Sequence, residues 1–136
     1  MEFNVRKLNE NDYDQTLVGW WKDWGWEPPQ KDFLPDDGTG GIMVLDGDTP
    51  VCAGFLYVTN SKAAWVDWII SNKSYRVKPN RSMALELLID TLTNTASSAG
   101  YKYAYALLKH SRLIETYEKL GYLKGDSCSS EMIKIL

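Results

Sequence analysis

Residues 64–108 constrain this chain more than any other stretch, because they read as a strand, a helix and a second strand in succession. A helical connection of that length joins parallel neighbours in one sheet. The first strand covers 64–71. The helix starts near Asn80 to Ser82, carries Met83, Leu87, Leu88 and Leu92, and stops at Gly100. The second strand covers 101–108. Upstream, Phe3, Val5 and Leu8 form a short first strand. Asn11 or Asp12 caps a helix through Leu17, Trp20, Trp21 and Trp24, which Gly25 and Pro28-Pro29 end. Residues 30–41 are loop. Strands at 42–45 and 51–58 then turn through Asp46-Gly47-Asp48 and Asn60-Ser61 into the strand at 64–71. Ser111 caps a further helix that Gly121 ends, and 132–136 close as a last strand. The fold class is α/β (α+β mixed). An antiparallel N-terminal meander and a parallel strand-helix-strand unit share a mixed central sheet, flanked by helices.

Composition narrows the function. A chain of 136 residues is one ordinary domain, 1–136. Its net charge of −3 disfavours nucleic-acid binding, which needs a basic stripe. Two distant cysteines, Cys52 and Cys128, and one histidine, His110, supply no metal-ligand set, so no metal is expected. No apolar run of about 18 residues is present, and the first residues lack a leader's apolar stretch. No membrane partner is expected, and the location implied is cytoplasmic.

Ligands of open α/β sheets bind beyond the carboxyl ends of parallel strands. Here that place joins Ile70 and Ser71 to the turn Lys78-Pro79-Asn80-Arg81-Ser82. A helix start offers free amides and a positive dipole end, and Arg81 adds a guanidinium, so the turn suits a pyrophosphate. The same residues serve equally as an ordinary helix cap. Asp67 is the only carboxylate in 64–71. Alternation puts it on one face with Trp65, Ile69 and Ser71. There it is either a base with raised proton affinity or a solvent-facing residue. Trp20, Trp21, Trp24 and Trp26 form either core or an aromatic enclosure for an amine. Asp36 and Asp37 either attract a cation or shape a turn.

The order of elements and two motifs resemble the GNAT superfamily of acetyl-CoA-dependent N-acetyltransferases. The family's phosphate turn, Gln/Arg-x-x-Gly-x-Gly/Ala before a Leu-Leu pair, falls on Pro79-Asn80-Arg81-Ser82-Met83-Ala84 before Leu87-Leu88. Ala84 fits; Ser82 and Pro79 depart. The family's Asn-x-x-Ala-x-x-x-Tyr-x-x-x-Gly-Phe falls on residues 110–122, where Tyr117-Glu118-Lys119-Leu120-Gly121-Tyr122 keeps its core and His110 replaces the Asn.

The resemblance implies acetyl transfer from acetyl-CoA to a primary amine, on a small molecule or on a protein lysine or N-terminus. Lys78 and the residues Asn80, Arg81, Ser82, Met83 and Ala84 would hold the CoA pyrophosphate. Ile69, Ile70 and Ser71 would bind pantetheine and polarise the thioester carbonyl, and His110 would bind the cofactor arm. Tyr117 would protonate the departing thiolate, and Asp67 would act as base. Trp21, Trp24, Trp26 and Trp65 would face the acceptor. Family members often dimerise, so a homodimer is a further expectation. The competing expectation is a GNAT-like module, weak or inactive in catalysis, that binds CoA or a protein partner.

Overall fold

The computed structural model describes residues 2–136. Its sheet has five strands in sequence order: β1 (Phe3–Lys7), β2 (Gly41–Asp46), β3 (Thr49–Tyr57), β4 (Ala63–Ser71) and β5 (Tyr103–Tyr105). The first four pair antiparallel and β5 joins β4 in parallel. Gly47, at φ +59°, makes the β2–β3 turn. The crossover is α2 (Asn80–Ser98), which Gly100 terminates at φ +94°. This is the mixed α/β architecture expected from the sequence.

Two helical layers cover the sheet. On α2, Ala84, Leu88, Ile89, Leu92 and Ala96 are buried at three- and four-residue spacing. Their face packs with Val44, Cys52, Val66 and Tyr117. The opposite face receives a π-helical turn (Tyr13–Leu17) that continues into α1 (Val18–Asp23). Leu17, Trp20 and Trp21 pack there on Met43, Ala53, Phe55 and Ile70. The third helix, α3 (Ser111–Lys119), ends at Gly121, φ +99°.

Several local expectations are corrected. Neither Asn11 nor Asp12 caps the first helix: the Asp12 carboxylate turns back to accept from Asn9 N–H at 2.8 Å and from both Arg6 Nη atoms at 2.8 and 2.9 Å. Ser111 is the first residue of α3, and His110 precedes it without a side-chain cap. The stretch 30–41 contains two 3₁₀ turns, Lys31–Phe33 and Pro35–Gly38. Asp36 and Asp37 have φ +50° and +52° and act as turn residues. The strand expected at 101–108 is paired over only three residues. No strand forms at 132–136, where Met132, Ile135 and Leu136 are almost fully exposed. A strand needs a partner, and β5 offers few residues along its edge.

β4 also departs from simple alternation. Ala53 pairs with Ile70 and Phe55 with Asp67, so Trp68 and Ile69 together face Gly54 alone. This is a β-bulge, with Trp68 at φ +55°. It reverses the expected faces. Ile69 packs with Val66 on the α2 side, while Ile70 and Trp68 pack on the α1 side.

Candidate active site

β4 and β5 part company after Trp65 and Tyr105. Tyr103 N–H donates to Lys62 C=O at 3.0 Å. The even rhythm of a parallel ladder puts the following rungs at Tyr105/Ala64 and Leu107/Val66. The last of these is not made. Leu107 N–H donates instead to Asp67 Oδ2 at 2.9 Å, and Val66 C=O accepts the Tyr117 hydroxyl at 2.7 Å.

Beyond this point the strands diverge and a cleft of about 500 Å³ opens. Ile69, Ile70 and Ser71 of β4, Ser82 and Leu85 of α2, and Arg112, Leu113 and Thr116 of α3 form its walls. Trp24, Trp26 and His110 stand across one side. Trp26 stacks on Trp24 at 6.0 Å and on His110 at 5.1 Å between ring centroids. Trp24 Nε1–H donates to Ser71 C=O at 2.8 Å, which occupies one of that carbonyl's two lone pairs.

A second cavity of about 350 Å³ adjoins the first and shares Trp24, Arg81, Ser82 and Arg112 with it. Five cationic side chains line it: Lys73, Arg76, Lys78, Arg81 and Arg112. It lies at the start of α2, where the Asn80 and Ser82 amides have no backbone partner among the described residues. Amides, helix dipole and cations together are the chemistry that could hold a phosphorylated ligand.

Arg81 is less free than its sequence position suggests. Its Nε donates to Tyr75 C=O at 2.9 Å, and its Nη2 to Lys73 C=O at 2.9 Å and Asn72 C=O at 3.3 Å. Its guanidinium lies 5.7 Å from the Trp24 ring centroid. It ties down the β4–α2 connection. Lys73 Nζ is also held, donating to Asp23 C=O at 3.2 Å and lying 5.2 Å from the Trp24 ring centroid, which leaves Arg76, Lys78 and Arg112 as the looser charges. Ala84 is buried in the core, and the Arg81 and Met83 amides donate to Val77 and Pro79 carbonyls.

The expected acceptor quartet divides. Trp24 and Trp26 line the cleft. Trp21 is core, 1% exposed and edge-on to Trp68 at 6.2 Å. Trp65 is half-buried on the sheet against Tyr105, at 4.6 Å, outside the cleft wall. Asp67 is half-buried at the apex of the split, and burial raises its proton affinity against the two amides of Leu107 and Trp68 that it accepts. Tyr117 is 2% exposed, and burial pushes its phenol well above the ordinary range. Its hydroxyl points at β4 and is not part of the cleft wall.

The sequence reading missed Lys73, Arg76, Leu85, Arg112, Leu113 and Thr116. Arg112, Leu113 and Thr116 share a three- to four-residue spacing that marks one face of α3. Lys73 and Arg76 could have been found as a basic cluster in the linker before α2.

No protein-family model matches the chain, and no curated protein matches its sequence. Solved structures do match. N-acetylglutamate synthase from Neisseria gonorrhoeae, complexed with coenzyme A and N-acetyl-glutamate, is similar at TM-score 0.71 and 10% identity, over 93% of this chain and 29% of that one. AAC(6')-Iy, in complex with the bisubstrate analogue CoA-S-monomethyl-acetylneamine, is similar at TM-score 0.70 and 12% identity, over 99% and 100%. Glucosamine-6-phosphate N-acetyltransferase from Arabidopsis thaliana is similar at TM-score 0.67 and 12% identity, over 98% and 100%. The chain has the fold of the GNAT acetyltransferases.

Proposed function

We propose that this protein is an N-acetyltransferase that uses acetyl-CoA to acetylate a primary amine. One observation carries the reading: the cleft between the diverging strands runs into a cavity with five cations at a helix start. A long ligand with an apolar arm and a phosphorylated end fits that pairing, and CoA has both. Two structures of the same fold contain CoA or a CoA-derived analogue.

On this reading Lys78, Arg76, Arg112 and the Asn80 and Ser82 amides hold the phosphates. Ile69, Ile70 and Ser71 flank the pantetheine arm, with His110 and Trp26 closing over it. Bound there, acetyl-CoA supplies the thioester that a neutral amine opens. Trp24 and Trp26 orient the acceptor, which is a small amine or a protein lysine or N-terminus. Asp67 takes the proton that an ammonium must lose, and burial favours its protonated form. Tyr117 delivers a proton at the leaving sulfur by exchanging Val66 C=O for that acceptor. Calorimetry with CoA, followed by thiol release from acetyl-CoA over a panel of amines, tests the reading. Absence of CoA binding at millimolar concentration overturns it.

One observation favours a second reading, a CoA-binding module without turnover. The Tyr117 hydroxyl is buried and already committed to Val66 C=O. Tight CoA binding with no thiol release on any amine would select it.

A further inference from the structure

The split between β4 and β5 is held by two side chains that occupy the two halves of one missing rung. Leu107 N–H and Val66 C=O are the donor and acceptor that the ladder would pair next. Val66 is fully buried, so its carbonyl would cost free energy if left unpaired, and pairing it with Leu107 N–H would zip the strands one step further. Asp67 takes the donor and Tyr117 takes the acceptor. We propose that Asp67 and Tyr117 are positioning residues that keep the strands apart, and that this spacing sets the width of the CoA cleft.

The residue types fit the task. Asp67 faces two donors, because Oδ1 accepts Trp68 N–H and Oδ2 accepts Leu107 N–H, each at 2.9 Å. A carboxylate accepts at both oxygens, whereas an asparagine would turn an NH₂ toward one N–H. Tyr117 reaches β4 from α3, and its ring packs edge-on against Tyr122 at 4.9 Å. Tyr122 is anchored in turn to Thr93 of α2 through a 2.7 Å hydroxyl contact. The wedge is therefore braced against both helices on that face. The bulge at Trp68 and Ile69 adds to it, since Trp68 N–H, turned by the bulge, is the second donor that fixes the carboxylate. The consequence for CoA rests on the proposed function; the wedge itself does not.

A double-mutant cycle tests it. Asp67→Ala orphans Leu107 N–H, and Tyr117→Phe orphans Val66 C=O, so each single variant is destabilised. In the double variant the two orphans can pair, so its loss of stability in urea is less than the sum of the singles. Backbone NMR then shows Leu107 N–H exchanging slowly in the wild type, faster in Asp67→Ala, and slowly again in the double variant. CoA binds about tenfold or more weakly to the double variant than to the wild type. In any variant that still turns over, KM for acetyl-CoA rises in addition to the fall in kcat that loss of the base or the acid produces. Additive stabilities with a fast-exchanging Leu107 amide in the double variant would overturn the wedge. Failure of the wild type to bind CoA, with the cycle and exchange as expected, would overturn the proposed function and leave the wedge standing. An unchanged CoA affinity in a double variant that pairs the rung would overturn the link between spacing and cleft.

Discussion

Gly54 stands opposite the bulge, and its missing side chain is what lets Ile69 turn inward. A Cβ built there would lie 2.5 Å from Ile69 Cδ1 and 3.0 Å from Leu92 Cδ1. The first distance requires Ile69 to move, and Ile69 is also a wall of the cleft. Gly54→Ala should cost about 1–3 kcal/mol, the range for overpacking a filled core. A urea midpoint equal to that of the wild type would contradict this packing. Asp12 makes a second test at the same scale. Burial disfavours its charge, but the hydrogen bonds from Arg6 and Asn9 N–H outweigh that and hold its carboxyl below the ordinary range. A lowered folded value means stability that is present above the unfolded value near pH 4 and is lost as pH falls through the folded one. Asp12→Asn should therefore lose about 1–2 kcal/mol at neutral pH. The deficit should shrink below about pH 4, and urea titrations at pH 7 and pH 3 measure it. A deficit constant across that range would mean that the pair with Arg6 contributes nothing through its charge.

At the scale of elements, what could be read in advance was periodicity. The spacing of Leu88 and Leu92 placed α2 and, through it, the parallel pairing of β4 with β5. What could not be read was where the pattern breaks. A tryptophan gives no sign that it will adopt φ +55°, so the faces of Ile69 and Ile70 were exchanged. The unmade rung is equally hidden, because residues 101–108 alternate as a strand whether or not they find a partner. Arg81 was legible as a cation at a helix start but not as a tether, since its three acceptor carbonyls come from a linker without periodicity. That tether predicts a separation of effects. Arg81→Ala should free the carbonyls of Asn72, Lys73 and Tyr75, lower stability by roughly 1–3 kcal/mol and raise hydrogen exchange across 72–79. Arg76→Ala and Lys78→Ala should leave stability within about 0.5 kcal/mol while weakening CoA. Equal stability losses in all three would contradict the tether.

For the whole molecule, the distribution of charge matters more than its sum. The chain carries 15 lysines and arginines against 18 aspartates and glutamates, yet five of the cations surround one cavity of about 350 Å³. The rest of the molecule is correspondingly acidic. A net charge of −3 was thus a poor guide to the site, because a sum over the sequence says nothing about which charges the fold brings together. Lys73, Arg76 and Lys78 are neighbours in the chain, but Arg112 reaches them only because α3 returns beside the split. Such a cluster attracts a small polyanion through exposed charges, which salt screens. If CoA phosphates dock there, raising NaCl from about 50 to about 500 mM should weaken CoA binding by about tenfold or more, since the Debye length falls to a few ångströms. Pantetheine, which lacks the nucleotide phosphates, should bind weakly and with little dependence on salt. Calorimetry of both ligands across that range makes the comparison. CoA binding that ignores salt would remove the cationic cavity from the cofactor site and leave the cleft alone to account for it.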